Sequence, residues 1–247
     1  MGRRTRTIVI ANVLHDVRAY EVITMTFSVQ PTGMVPVPGG TLTLGASDQS
    51  DNPPHSVTVA AFLMDLTEVT VSAYGSCASA GQCATPPSTC DFGTPNWGVS
   101  GKENHPINCV SWTDANTYCT WSGKRLPTEE EWEYAARYDD GRDYPWGNTA
   151  LSATLANYGM NGTTAVGSFP SGNSKLGIQD LTGNVWEWTS TWYCSSPPCT
   201  GTSGTSRVLR GGSWGGPASS LRVAFRNFAI SPSYRENDVG FRCARTP

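Results

Sequence analysis

Among the side chains of this 247-residue chain that favour soft or borderline metals, the eight cysteines outnumber the three histidines. Eight cysteines, at 77, 83, 90, 109, 119, 194, 199 and 243, form an even set with no Cys-x-x-Cys step and no zinc-like Cys/His spacing. Disulfides are the natural chemistry of such a set. Cys194-Ser-Ser-Pro-Pro-Cys199 reads as a small loop staple rather than a metal pair, while Cys77, Cys83, Cys90 and Cys109 leave three pairings open. The three histidines (15, 55 and 105) are too scattered for a histidine metal centre, and His105 before Pro106 reads as a turn residue. No Ser/His/Asp ordering stands out, and Gly211-Gly212 lacks the flanking pattern of a nucleotide loop. Asp180 and Glu187 fall in the Gly-punctuated stretch 177–188, which by itself reads as a turn whose acids face water. Arg210, Arg222, Arg226, Arg235 and Arg242 recur towards the C-terminus, where guanidinium groups suit bridges from loops to buried carboxylates better than ligand contacts.

These residues need a scaffold, and the pattern supplies its elements. Met34–Gly45 reads as a strand with turn residues in its middle, and His55–Leu63 as a second strand. Thr70 is an N-cap for a short helix that Gly81 follows, Ser111 caps a helix over Trp112–Ser122, and Thr128-Glu-Glu-Glu131 is a capping box. Residues 82–104 are a Cys- and Pro-rich excursion, and regular structure thins after Tyr144-Pro-Trp-Gly147.

Glycine at 26 residues, proline at 17 and tryptophan at 9, with only 15% charged residues, describe a loop-rich fold anchored by aromatic side chains. One domain is expected over 34–247, preceded by an N-terminal arm or extra strand over 1–33, where Arg3, Arg4 and Arg6 before a broken apolar run make a poor signal peptide. A net charge of −3 offers no footprint for nucleic acid, and no apolar run is long enough for a membrane span.

Gly183-Asn-Val-Trp-Glu-Trp188, Arg207-Val-Leu-Arg-Gly-Gly-Ser-Trp214 and Val239-Gly-Phe-Arg-Cys243 occur in that order, after His105–Trp112 and Leu126–Arg137. Together these motifs make the chain resemble the formylglycine-generating enzyme (sulfatase-modifying factor) family over roughly residues 34–245. The resemblance implies an α+β, C-type-lectin-like fold with little regular secondary structure, stapled by disulfides. It implies a Cys119–Cys243 bridge, while a second family bridge is lost at both ends, at Ala136 and Val223. It implies calcium at Asp180, Gly183, Val185 and Glu187, a set of hard oxygens that suits that ion. A second family calcium site, at Asn157, lacks its acidic loop.

Family members that oxidise a sulfatase cysteine hold copper on two cysteines after the Gly-Gly-Ser-aromatic motif. The matching stretch here, 215–221, is shorter and contains no cysteine, so no copper is expected. Too few histidines remain for the iron site of the family's sulfoxide synthases. The expectation is therefore a non-oxidase, calcium-stabilised module binding a protein, peptide or small ligand around residues 213–238, through Ser213, Trp214, Gly216, Ser219, Ser220, Phe225, Phe228 and Tyr234. The alternatives are a family enzyme with an altered metal site, or a structural subunit in which self-assembly is possible. A retroelement-diversified variable protein is a further one, since such proteins diversify the segment between the last two motifs. The disulfides point to an extracellular, cell-surface or periplasmic setting.

Overall fold

The computed structural model describes residues 33–247, apart from the side chains of residues 228 and 229. The arm or strand expected over 1–33 lies, but for its last residue, outside them. The strand expected over Met34–Gly45 divides into β1 (Met34–Val37) and β2 (Gly40–Leu44), and the next divides into β3 (His55–Val59) and β4 (Phe62–Asp65). The two breaks lie close together, since a Cβ on Gly39 would stand 2.7 Å from the Ala61 nitrogen. β2 and β3 form a two-stranded antiparallel ribbon, while β4 joins β1 and β9 (Ala244–Arg245) in a second sheet.

Three short helices follow their caps. Thr70 accepts the Ala73 N–H to open α1 (Val71–Ser79). α2 (Trp112–Trp121) starts in a reciprocal box between Ser111 and Asp114, and α3 (Glu129–Arg137) in the box between Thr128 and Glu131. Each cap satisfies N–H groups that the first turn leaves without an intrahelical partner. From Arg137 to β5 (Trp186–Trp192) the chain carries only one short 3₁₀ turn. β5 then pairs with β6 (Arg207–Arg210), β6 with β7 (Asn227–Ile230), and β8 (Val239–Gly240) joins β5 in parallel, giving the order β7-β6-β5-β8.

Two apolar clusters hold these elements. One packs Tyr74, Tyr118, Trp188, Leu209 and Phe241 around Cys119 and Cys243, with Tyr74 stacked on Tyr118 at 5.6 Å. The other gathers Met64, Trp132, Ile178 and Leu181, and it contains both Ala136 and Val223. The two positions at which the resemblance implies a missing bridge thus share one core, filled by small apolar side chains. Burial of each large side chain contributes roughly 1.5–3 kcal/mol.

Cys119 bonds Cys243 across 124 residues, and Cys194 bonds Cys199. The remaining cysteines pair as Cys77–Cys83 and Cys90–Cys109. Every cysteine of the sequence is therefore bonded. The C-terminal arginines face carboxylates: Arg210 pairs with Glu133, Arg222 with Asp48 and Asp143, Arg226 with Glu129, Arg235 with Asp114 and Arg242 with Glu187.

Candidate functional site

The Gly-Gly-Ser-Trp turn leaves β6 and forms one wall of a surface cleft. Its glycines are required by space and by backbone conformation. Gly212 has φ +75°, and a Cβ there would stand 2.5 Å from Leu221 Cδ2. Beyond the turn, Ser213 is fully buried and donates its hydroxyl to Asp238 Oδ2 at 2.7 Å. Trp214 is fixed through its backbone, which donates to the Asn184 carbonyl and accepts from the Met160 N–H, both at 2.9 Å.

The cleft measures about 530 Å³. Of the residues expected at a binding surface, Ser213, Trp214, Gly216, Ser220 and Phe225 line it. Ser219 and Tyr234 are exposed but lie outside the lining, and the Phe228 side chain falls outside the described residues. Phe225 also packs on Trp186, with ring centroids 6.0 Å apart. Glu236, Asn237 and Asp238, within the expected 213–238 surface but not singled out there, also line it, and so does Phe92, which lies outside that surface. Phe92 comes from the Cys-rich excursion, which hydrogen bonds stitch to the segment before β8. Asp91 N–H donates to the Arg235 carbonyl at 2.8 Å, and Cys109 N–H to the Glu236 carbonyl at 3.0 Å. The Cys90–Cys109 bridge closes the same loop.

Among the described residues no Lys, Arg or His lines the cleft, so its two carboxyl groups lack a cation there. Burial and then the neighbouring Asp238 push the Glu236 carboxyl up to about 7, with a hydrogen bond to Asp238 in the same direction. The nearest basic side chain in sequence, Arg235, is turned to Asp114 at 2.5 Å.

The expected calcium positions flank Asn184, whose carbonyl accepts the Trp214 N–H of the cleft. Asn157 and Gly183 form a β-bridge, and a Cβ on Gly183 would stand 2.4 Å from the Asn157 carbonyl oxygen. Asp180 adopts φ +54°, and its Oδ2 accepts the Gly167 N–H at 2.6 Å. Glu187 is fully buried and accepts two bonds from Arg242 and one from the Trp132 indole, at 2.7–2.8 Å. A carboxylate offers about four lone-pair sites, so one remains for a further partner.

Sequence reasoning missed Glu68. It is buried, accepts the Asn184 side-chain amide at 2.8 Å, and has its carboxyl pushed well above the usual range by burial and then by Asp180 and Glu187. Its signal was only an acid at the edge of an apolar stretch. Burial likewise raises Asp180. Three carboxyl groups therefore share one guanidinium, Arg242. Asn157 Oδ1 is buried without a hydrogen-bond partner. Among the described residues no three His, Cys, Asp or Glu side chains converge tightly enough to hold an ion by themselves. An ion here would depend on backbone carbonyls, which is the role the resemblance gives Gly183 and Val185.

Comparison with known proteins places this geometry in context. The model of the sulfatase-modifying factor enzyme 1-like domain matches residues 21–247. The inactive C-alpha-formylglycine-generating enzyme 2 of Bos taurus is 41% identical over 168 residues, covering 61% of this chain and 53% of the relative. The chain thus spans about half the length of that relative. The formylglycine-generating enzyme of Mus musculus is 32% identical over 281 residues, covering 86% of this chain and 75% of its own. Among solved structures, Treponema denticola variable protein 1 superposes with a TM-score of 0.69 at 28% identity, covering 92% of this chain and 98% of that one.

Proposed function

The chain belongs to the sulfatase-modifying factor family, and from that premise we propose that it is a calcium-stabilised binding module that has lost the oxidase chemistry and uses the cleft beside Ser213 for recognition. The observation that carries this reading is the cleft itself. Its Gly-Gly-Ser-Trp wall is intact, but the segment 215–221 has neither thiolate nor imidazole, and all eight cysteines are bonded to one another. Neutral hydroxyls such as those of Ser219 and Ser220 are poor ligands for a soft monovalent ion.

The chemistry of the buried acids fits calcium. Hard oxygens predominate, three carboxyl groups face a single guanidinium, and one amide oxygen lacks a partner. Asp180, Glu187 and the carbonyls of Gly183 and Val185 would hold the ion, with Asn157 on the adjoining strand. Bound there, calcium would supply charge balance and a cross-link between loops. Asp180 and Glu187 would fix the two ends of the Gly-Asn-Val turn, whose Asn184 carbonyl holds Trp214 at the cleft.

Four disulfides suit an oxidising compartment, and an extracellular, surface or periplasmic setting follows in this proposal. Among the described residues no helix is long and apolar enough to cross a membrane. A second reading, a diversified variable protein, is favoured by the likeness to the treponemal variable protein. A nearby DNA repeat of the region encoding residues 207–242 would support it.

The oxidase question has a direct test. Purified protein is incubated with copper, reductant, oxygen and a Cys-x-Pro-x-Arg peptide, then analysed by mass spectrometry. The peptide should remain unchanged. Aldehyde formation would overturn the proposal, and its loss in Cys194→Ser would move the active site to the 194–199 loop.

A further inference from the structure

The cleft has a chemical character that a general recognition surface does not require. Phe92, Trp186 and Trp214 line it together with Glu236 and Asp238. Aromatic faces carry negative potential and attract cations, as carboxylates do. No basic side chain among the described residues lines the cleft to satisfy either. Glu236 also has Asp91 nearby, a third acid acting in the same direction.

The geometry further discriminates between cations. Asp238 Oδ2 already accepts the Ser213 hydroxyl, and the Asp238 side chain lies within hydrogen-bonding reach of Glu236. Asp238 therefore does not present two free oxygens in one plane, the arrangement that a guanidinium fork prefers. An ammonium group is a compact point charge with three donors on a flexible stem. It can bond both acids at once while its methylenes lie along the rings.

The surroundings extend beyond a small ligand. Phe92 is 62% exposed and Met160, bonded through its backbone to Trp214, is 48% exposed, so apolar surface continues outside the cleft. Asn227 lines the cleft and begins β7, which among the described strands is the terminal one of its sheet. Such an edge can accept an extended chain by main-chain hydrogen bonding.

Resting on the recognition reading above, we propose that the cleft binds a lysine side chain of an extended polypeptide, its ammonium group held by Glu236 and Asp238 and its methylenes by Phe92, Trp186 and Trp214. Apolar flanking residues of the peptide cover Phe92 and Met160.

The test is a titration of the full, nitrogen-15-labelled chain, read at the indole N–H resonances of Trp186 and Trp214. The probes are acetyl-Ala-Leu-Lys-Leu-Ala-amide, the same peptide with norleucine for lysine, and n-butylammonium chloride. The lysine peptide should bind at least about tenfold more tightly than the norleucine peptide, a difference of about 1.4 kcal/mol. Glu236→Gln, and separately Asp238→Asn, should each erase most of that difference. The single Glu236→Gln variant leaves the Ser213–Asp238 bond in place, so a failure of Asp238→Asn to fold does not remove the test. Equal binding of the two peptides overturns the lysine assignment while leaving the cleft as a polypeptide site. Butylammonium binding as tightly as the lysine peptide overturns the polypeptide assignment. Binding of none of the three at millimolar concentration overturns the inference and counts against the cleft as a recognition surface.

Discussion

Ser213 and Asp238 meet through a 2.7 Å hydrogen bond that joins the Gly-Gly-Ser turn after β6 to the segment entering β8. Asp238 also accepts the Trp186 N–H through its backbone at 2.8 Å, so both contacts position the cleft relative to the central strand β5. The serine is buried and the acid is partly exposed, so one side of this bond belongs to the core and the other to the site.

Replacing Ser213 by alanine should therefore weaken the fold and loosen the cleft together. Removing the hydroxyl leaves Asp238 short of a donor, a loss of about 1–3 kcal/mol. Urea denaturation of Ser213→Ala at pH 7.5 should show the midpoint falling at unchanged slope. An unaltered midpoint would mean that water replaces the hydroxyl at no cost.

Arg242→Met is expected to be more damaging. Arg242 and Glu187 are both fully buried and bonded through two nitrogens to two oxygens at 2.7 Å. Removing one partner strands a buried charge, at about 3–5 kcal/mol. Calorimetry should record a fall in Tm of roughly 10 °C for a domain of this size. A shift within 1–2 °C would mean that Glu187 needs no guanidinium to balance its charge.

These two sites mark what the sequence made legible. The capping residues Thr70, Ser111 and Thr128 fixed the three helix starts, because a cap acts over three or four neighbouring residues. The Cys119–Cys243 bridge and the place of Ser213 and Trp214 followed from ordered motifs in which each residue type has a fixed task. Phe92 and Glu68 were not legible. Each reaches its site from more than 100 residues away in sequence, from Glu236 and Asn184 respectively, and no local pattern encodes such a meeting. The remaining pairings, Cys77–Cys83 and Cys90–Cys109, depended on the path of the 82–104 excursion, which composition leaves open.

The pH dependence of stability should carry a signature of Glu236. Its carboxyl is pushed from the ordinary 4.5 up to about 7 by burial and then by Asp238. Between those values the folded state holds a proton that the unfolded state releases. The stabilising contribution is thus complete below 4.5 and lost as pH rises through 7. Glu236 is partly exposed, so solvent reduces the effect. Glu129, raised to about 7 mainly by burial, titrates in the same window, so the measurement is the difference between parent and Glu236→Gln. The parent's stability relative to the variant should fall between pH 5 and pH 8. Parallel curves would rule out a raised carboxyl at this position.

Calcium should alter stability through the neighbouring buried acids. An ion that binds only the folded state stabilises by mass action, about 2.7 kcal/mol at a hundredfold excess over Kd. Chelation should then lower Tm by roughly 5–10 °C, given a few degrees per kcal/mol at this chain length. Readdition of calcium should restore it. Asp180→Asn retains an oxygen for the Gly167 N–H but removes one negative charge, so its Tm should be low and insensitive to chelator. A contrary pattern is equally readable. If chelator leaves the parent unchanged and Glu68→Gln is as stable as the parent, a proton on Glu68 rather than an ion balances the buried charge, in the direction that burial pushes its carboxyl.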